Sequence, residues 1–465
     1  MLTNNIASDN HHGIVTAYSS NNALANNTAN SNSEFGVNLY YSNNNILTNN
    51  IANSNDNCGI ILRWSSSNNI LTNNNASNNQ RIGIGAVYSS NNTLMKNTFI
   101  NDGFYIGDSY RNTVVNNIVN GKPLVYFEEA SNFTIQNAGQ VILVNCTNIT
   151  VEGLNLSNTS IGVVLLETDD CKIANNIVSN NMMVGIIMSH SSSNMLAKNN
   201  VNSNNEGGIG LEFSSNNVLT DNIIRSNNGD GIYLDYSSDN MLQNNIASNN
   251  WDGIDLGDSS NNTLTNNNVS NNYHGIHLVE SSYNNITKNN ADSNDYNGIR
   301  LWYSSNNTLH SNTANSNDWN GVSLEYSSNN TLHHNNLINN TNHNAYDYGG
   351  TNTWDSGSAG NYYSDYTGTD PDGDGIGEDP HPIPGGGGSV DNYPLMQPWT
   401  GATSPKGDLN HDGILTPADA AIALRLAAGG SAPCDPATLS AADVSGDGRI
   451  TSLDALMILQ AATDR

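Results

Sequence analysis

Gly253-Ile254-Asp255-Leu256 is followed by Asn261-Asn262-Thr263-Leu264-Thr265-Asn266-Asn267 and then by Asn268-Val269-Ser270, three short apolar-alternating pieces separated by Ser and Asn turns. Pieces this short cannot be helices, and their two-residue alternation puts Ile254, Leu256, Leu264 and Val269 on one side of the chain. The glycine followed by Ile or Val returns at Gly13, Gly36, Gly59, Gly185, Gly208, Gly231, Gly275, Gly298 and Gly321, a period of about 23 residues. The Leu-centred segment returns around Leu24, Leu47, Leu71, Leu219, Leu242, Leu309 and Leu332. One coil of three strands has an inside, and stacking coils about 4.8 Å apart pairs every strand in parallel with its copies above and below. The expected fold is therefore all-β, a parallel β-helix of three strands per coil, with amide ladders of turn asparagines along the stack. About fifteen coils predict a rod of roughly 70 Å.

Composition agrees with such an array and excludes other classes. The net charge is -28, from Lys+Arg 14 against Asp+Glu 42, which rules out a sequence-independent grip on nucleic acid. Only 12% of residues are charged, so the polarity rests on Asn, Ser and Thr, which pair through neutral hydrogen bonds. An Asn-rich chain without periodicity would be disordered, and the periodicity decides against that. Cys58, Cys146, Cys171 and Cys434 are too few for a disulfide framework and lack zinc spacing, although Cys146 and Cys171 lie about one repeat apart. No apolar run approaches the ~18 residues of a membrane span. Leu2-Thr3-Asn4-Asn5-Ile6 already matches the middle of a repeat, so the start is read as truncated and no signal peptide precedes the repeats.

The C-terminus carries a different pattern. Asp408, Asn410, Asp412, Gly413, Ile414, Thr416 and Asp419 occupy positions 1, 3, 5, 6, 7, 9 and 12 of an EF-hand-like loop. Asp443, Ser445, Asp447, Gly448, Arg449, Thr451 and Asp454 repeat the arrangement. Side-chain oxygens, the backbone carbonyls of Ile414 and Arg449, and a glycine for the sharp turn make a calcium ligand set. An apolar helix is expected after each loop, over Ala420 to Ala428 and Ala455 to Ala462. A further acidic turn, Asp370, Asp372 and Asp374 followed by Gly375 and Glu378, has alternating carboxylates suited to calcium, against the bland reading of a solvated turn.

These motifs carry two resemblances. The coils, with Gly121-Lys122-Pro123-Leu124-Val125-Tyr126 and Val141-Ile142-Leu143-Val144-Asn145-Cys146, resemble right-handed β-helix proteins of the pectate-lyase-like and NosD-like type, especially archaeal surface proteins, over residues 1–341. Residues 342–400, with Asn361-Tyr362-Tyr363-Ser364-Asp365-Tyr366 and Asp391-Asn392-Tyr393-Pro394-Leu395-Met396, resemble the segment that caps such helices. NosD-like members are labelled copper-binding, but the histidines here are scattered and the methionines follow no ligand spacing, so copper is not expected. After a linker at 401–406, the paired loop-helix units at 407–465 resemble a type I dockerin, because no helix precedes either loop. That resemblance implies calcium-dependent binding to a cohesin. It maps the cohesin-facing residues to Pro417, Ala418, Leu424 and Arg425 in the first unit and to Ser452, Leu453, Leu459 and Gln460 in the second. The two faces differ, which argues against symmetric dual-orientation binding.

Function on the β-helix has two competing readings. Outward positions of the Gly-led strands offer Glu212, Asp235, Asp255, His277, Arg300, Trp302 and Glu325, with Asp235, Asp255, His277 and Arg300 as candidate acid-base groups of a polysaccharide lyase, hydrolase or epimerase. Against this stands the fact that outward positions are where polar residues ordinarily go. Two residues before the glycine, Trp251, Tyr273, Tyr296 and Trp319 form an aromatic column beside Arg300 and Trp302, a surface on which sugars stack or a turn-stabilising ladder. The equivalents in other coils are Arg81, Met183 and Gly229, so the column is local. Tyr18, Tyr41, Trp64, Tyr88, Tyr236, Tyr303 and Tyr326 end the Gly-led strands too regularly to mark one site. The sequence thus predicts an extracellular or cell-surface module, glycan-binding or structural, with a docked polysaccharide-active enzyme as the alternative.

Overall fold

A computed structural model describes residues 1–371, 374–400, 406, 407, 409, 415–427, 441–445 and 449–463. Two compact units divide the chain, Met1–Met396 and Gln397–Arg465. The first is a β-helix. In one coil the strands are Asp252–Gly257, Thr263–Thr265 and Asn268–Ser270. Each pairs in parallel and in register with its copies, Ile232 with Ile254 with Ile276, and Leu242 with Leu264 with Ile286. The alternation expected from the sequence places Ile254, Leu256, Leu264 and Val269 in a fully buried core.

Corners are turned by residues in the left-handed region, Asp258, Asn261, Asn266 and Asn271 with φ of 48°, 58°, 54° and 57° in this coil. Asn and Asp tolerate that conformation best among residues with a Cβ, which accounts for their abundance. The repeat's glycine has a steric cause instead. A Cβ on Gly253 would lie 2.6 Å from the Gly275 carbonyl oxygen and 2.8 Å from Asn272 Nδ2.

The amide ladders hold the coils together. The backbone N–H and Nδ2 of Asn245 both donate to Asn267 Oδ1, and those of Asn267 donate to Asn289 Oδ1, continuing through Asn312 and Asn335. Nδ2 of Asn267 also donates to the Leu242 carbonyl at 2.9 Å, so the buried amide is satisfied. The far ends of several ladders fall on carboxylates. Asn79 donates to Asp102, Asn361 to Asp391, Asn352 to Asp347, and Asn344 to Asp365.

The coils do not stack into the one rod of roughly 70 Å that about fifteen of them predict. The Gly-led strands form two separate ladders, a 5-stranded one ending at Phe104–Gly107 and a later one within a 13-stranded sheet. Between them Ile118–Val119 turns through Asn120 and Gly121 into an antiparallel pairing with Lys122 and Pro123, and that strand then pairs in parallel with Gln140–Val144. The second stack folds back along the first. Gly103 N–H donates to Ser160 Oγ at 3.0 Å, while Arg81, earlier in the chain, pairs with Glu206, later in it. Gln140 stitches the junction, accepting from Phe104 N–H at 2.9 Å and donating to the Phe104 carbonyl at 2.8 Å. The outward residues Ile142, Val144, Val164 and Leu166 are buried against Phe104 and Ile106 of the first stack. These runs are apolar on both faces because both faces are covered.

At the other end Trp354 is fully buried with its Nε1 donating to Asp347, and Tyr363 donates its hydroxyl to Asp391 at 3.0 Å. In the second unit the helices run Pro417–Ala427 and Ser452–Thr463. They start earlier than the apolar pattern predicts because Thr416 and Thr451 act as N-caps, each paired with a carboxylate three residues on. Among the described residues no helix is long and apolar enough to cross a membrane.

Candidate functional site

Two outward columns, rather than one, run down the Gly-led sheet. Tyr233, Asp255, His277, Arg300 and Ser323 are in successive register. Glu212, Asp235, Gly257, Val279, Trp302 and Glu325 form the neighbouring column two residues further along. Asp235 therefore stands apart from the other three acid-base candidates. Arg300 is engaged by Glu325 through a bidentate pair at 3.1 and 2.9 Å, with its guanidinium 5.9 Å from the Trp302 ring.

His277 is the centre of the arrangement. Its Nδ1 lies 3.0 Å from Asp252 Oδ2 and 3.1 Å from Asp255 Oδ1, and its buried Nε2 has no hydrogen-bond partner. Burial alone would push its pKa down, but the hydrogen bonds to Asp252 and Asp255 prevail and raise it to about 9, so it is an imidazolium at neutral pH. Burial raises the Asp255 carboxyl, which His277 offsets, and burial raises Asp230 to about 7 with help from the Asp255 charge. A protonated imidazole between two carboxylates can hold and deliver a proton.

Asp230, Asp252 and His274 escaped the sequence reading. Each directly precedes a repeat glycine, and each accepts from the backbone of the next coil: Asp252 N–H donates to Asp230, His274 N–H to Asp252, and Asn297 N–H to His274 Nδ1 at 3.3 Å. This column is first of all a structural ladder. Burial, followed by the charges of His277 and Arg300, pushes His274 down to about 3, so it stays neutral and keeps its acceptor. The signal in the sequence was an Asp or His at the position where neighbouring coils carry Asn297 and Asn320.

Beside this cluster the four aromatics stack on one another. Trp251, Tyr273, Tyr296 and Trp319 have successive centroid separations of 4.8, 5.3 and 5.4 Å. Their inner faces meet, leaving ring edges and the outer faces of the two tryptophans toward solvent. Trp251 is 58% exposed and Trp319 42%. The rings of Tyr273 and Tyr296 also pack edge-on against His274.

In the acidic turn, Asp370 accepts from Gly375 N–H at 3.0 Å and Asp374 from Ile376 N–H at 2.8 Å, while Asp372 lies outside the described residues. Asp408, Asn410, Asp412, Ile414 and Asp447 lie outside them as well. What is described of the two C-terminal loops is duplicated at the threonine and offset by one position at the loop start. Asp419 accepts from Leu409 N–H and from the Thr416 N–H and hydroxyl at 2.8, 2.8 and 3.0 Å. Asp454 accepts from Ser445 N–H and from the Thr451 N–H and hydroxyl at 2.9, 2.8 and 2.9 Å. These bonds, with the backbone donors of Ser445 first, hold the Asp454 carboxyl well below the usual carboxylate range. Pro417, Leu424, Arg425, Ser452, Leu453, Leu459 and Gln460 are exposed along the helices. Cys58, Cys146 and Cys171 are unpaired thiols.

Comparison with known proteins agrees with this architecture. Residues 226–368 match the family described as periplasmic copper-binding protein (NosD), and residues 406–461 match the dockerin type I domain. Solved structures similar to this chain share 13–17% identity with it. A periplasmic alginate epimerase has 14% identity and a TM-score of 0.39, covering 67% of this chain and 76% of its own. The A-module of a mannuronan C-5 epimerase from Azotobacter vinelandii has 13% and 0.41, covering 72% and 91%. The Dettilon tailspike protein has 17% and 0.36, covering 63% and 60%. No curated protein matches the chain in sequence.

Asp252, His274 and His277 lie within the NosD match and bring ligand atoms within 4.8 Å of one another, but they do not fit copper. His277 Nδ1 is held between two carboxylates, and with His274 Nδ1 accepting from Asn297 the proton of its neutral ring sits on Nε2, leaving no lone pair to give. The strands stack coil upon coil, and residues 1–139 and 139–291, well over half of the chain, match the right-handed β-helix region, so the chain belongs to the right-handed β-helix family.

Proposed function

We propose that this chain is an extracellular or cell-surface module in which a calcium-dependent dockerin attaches a glycan-binding β-helix to a cohesin-bearing protein. The observation that carries the reading is the twinning of Asp419 and Asp454. Each position-12 carboxylate already ties the start of its loop to the helix that follows, through the same threonine N–H three residues before it and through a loop-start N–H, that of Leu409 in one unit and of Ser445, one loop position further on, in the other. A loop closed in this way needs only the remaining oxygens to gather around a calcium ion. Exposed Leu424, Leu453 and Leu459 supply apolar surface for the cohesin. The binding test is capture of the full chain on immobilised type I cohesins in calcium and again in EDTA. Capture that is unaffected by EDTA, or absent from every cohesin tried in calcium, overturns the attachment reading.

On the β-helix the reading places a sugar against the Trp251 and Trp319 faces and the edges between them, with Arg300 and Trp302 alongside. A second reading, a polysaccharide-active enzyme, is favoured by one observation, the His277 imidazolium held between Asp252 and Asp255. Incubation with acidic polysaccharides, followed by reducing-end and unsaturated-product assays, separates the two. Product that disappears in His277→Ala establishes the enzyme. Glycan binding without product establishes the module.

A further inference from the structure

We propose that His11, His12 and Glu34 form a binding site for a divalent transition-metal ion of the zinc class, on the outer surface of the first stack. Glu34 lies 23 residues after His11 and two before Gly36, as His11 lies two before Gly13, so one turn of the coil brings the carboxylate beneath the two imidazoles. His11 Nε2 is 3.4 Å and His12 Nε2 3.3 Å from the same atom, Glu34 Oε2. Both separations exceed the ordinary range of an N–H···O bond, about 2.7–3.2 Å. They equal the ligand-to-ligand edge of a tetrahedron whose centre is about 2.0–2.1 Å from each donor, an edge of about 3.4 Å. All three donor atoms lie within 4.8 Å of one another.

The surroundings suit a metal better than an ion pair. The His12 ring is stacked on Phe35 at 5.3 Å and 4°, which fixes its plane, while the His11 ring, its side chain 71% exposed, is stacked against His12 at 4.3 Å and 29°. His11 Nδ1 meets Ser33 Oγ at 3.2 Å, the kind of outer contact that sets the tautomer of a ligating imidazole. Arg63, the near cation, is spent elsewhere, on Asn38 and over the Phe35 ring. Among the described residues the ion pairs of Glu34 are with the two histidines. In the other His-carboxylate group, Asp252, His274 and His277, both Nδ1 atoms are engaged and the His277 Nε2 is buried, whereas here two Nε2 atoms lie beside one carboxylate oxygen with a solvent-facing side left for a fourth ligand. Two imidazoles and one carboxylate are borderline donors, which select zinc, cobalt or nickel over calcium or magnesium. The site lies outside residues 226–368 and so is independent of the copper-binding family match.

The test uses the full chain, stripped of metal and then held in excess calcium so that oxygen-only sites are filled. Zn2+ is titrated by calorimetry and Co2+ by visible absorption. The parent is expected to take up one Zn2+ and to give the intense d–d bands of tetrahedral Co2+. Glu34→Gln, a near-isosteric change at the surface, is expected to weaken Zn2+ by at least about tenfold, and His12→Ala with Glu34→Gln to abolish the Co2+ bands. His274→Ala is expected to leave both unchanged. Zn2+ uptake and Co2+ bands that persist in the double variant, with unaltered circular dichroism, overturn the site. So does their loss in His274→Ala, or a parent that binds neither ion.

Discussion

The β-helix and the dockerin solve the same problem, how to order a chain poor in conventional core, by opposite means. In the β-helix each polar turn is satisfied by the next coil: Asn267 hands two donors to Asn289 and receives two from Asn245. In the dockerin each polar turn closes on itself, through Asp419 or Asp454, and its sequence concentrates carboxylates within the loop. The first derives stability from repetition. The second is bounded to two short units and, on the proposed function, depends on calcium.

The largest difference is expected on chelation. EDTA should abolish cohesin capture and remove the helical part of the circular dichroism signal, because helices of 11 and 12 residues do not persist alone. The strand signal should survive. Asp412→Ala with Asp447→Ala should act like EDTA, and undiminished calcium affinity by calorimetry in that variant would contradict the loop assignment.

Within the β-helix the comparison sharpens at Asn267. Replacing it with Ala removes the acceptor of two buried Asn245 donors, at a cost of about 3 kcal/mol or more. Thr265→Ala, on the outward side of the same corner, should cost less than about 0.5 kcal/mol. Thermal melts of the two variants measure the contrast.

A pH series tests the ladder end at Asp102. Burial raises this carboxyl to about 8 despite two hydrogen bonds from Asn79, and Oδ1 has no partner. Its protonated form is the one the fold favours. The stability it allows is fully present below the ordinary carboxylate pKa, near 4, and is lost as pH rises toward 8. Asp102→Asn should therefore stabilise by on the order of 2 kcal/mol at pH 8 and hardly at all at pH 4, read as the shift in melting temperature. A gain equal at both pH values would show that ionisation is not the cause.

The smallest stability change is expected at the aromatic column. Trp251→Ala with Trp319→Ala should leave the melting temperature nearly unchanged, since both rings are largely solvent-facing. Glycan binding should fall tenfold or more, at about 1 kcal/mol per ring. A loss of several degrees, with no glycan bound by the parent on an array, would make the column purely structural.

The parts of this molecule that repeat were legible. Ile254, Leu264 and Val269 announce the coil because each alternation sees only one solvent face, and Gly253 announces the steric pinch. The fold-back was not read, although Val141-Ile142-Leu143-Val144 carried its signal. A run apolar at every position has two covered faces, and the second cover is another stack distant in sequence. The site was half legible. Asp255, His277 and Arg300 follow from outward alternation, but Asp252 and His274 sit before the glycine, as the first residues of their strands, and alternation does not show that their side chains reach His277. Asp235 was grouped with them because alternation does not distinguish two columns on one face.

The aspartates at the ladder ends have a consequence for how the protein behaves among its own copies. An Asn in a column both receives and passes on, so a column of Asn invites one more coil without limit. Asp391 and Asp365 accept from Asn361 and Asn344 and have no side-chain N–H to offer in turn. A strand arriving from another molecule would meet the exposed Asp365 carboxylate where it needs a donor. These carboxylates are full stops written into the polymer, and they make the last coil a poor template for end-to-end fibres of a sequence otherwise well suited to growing them.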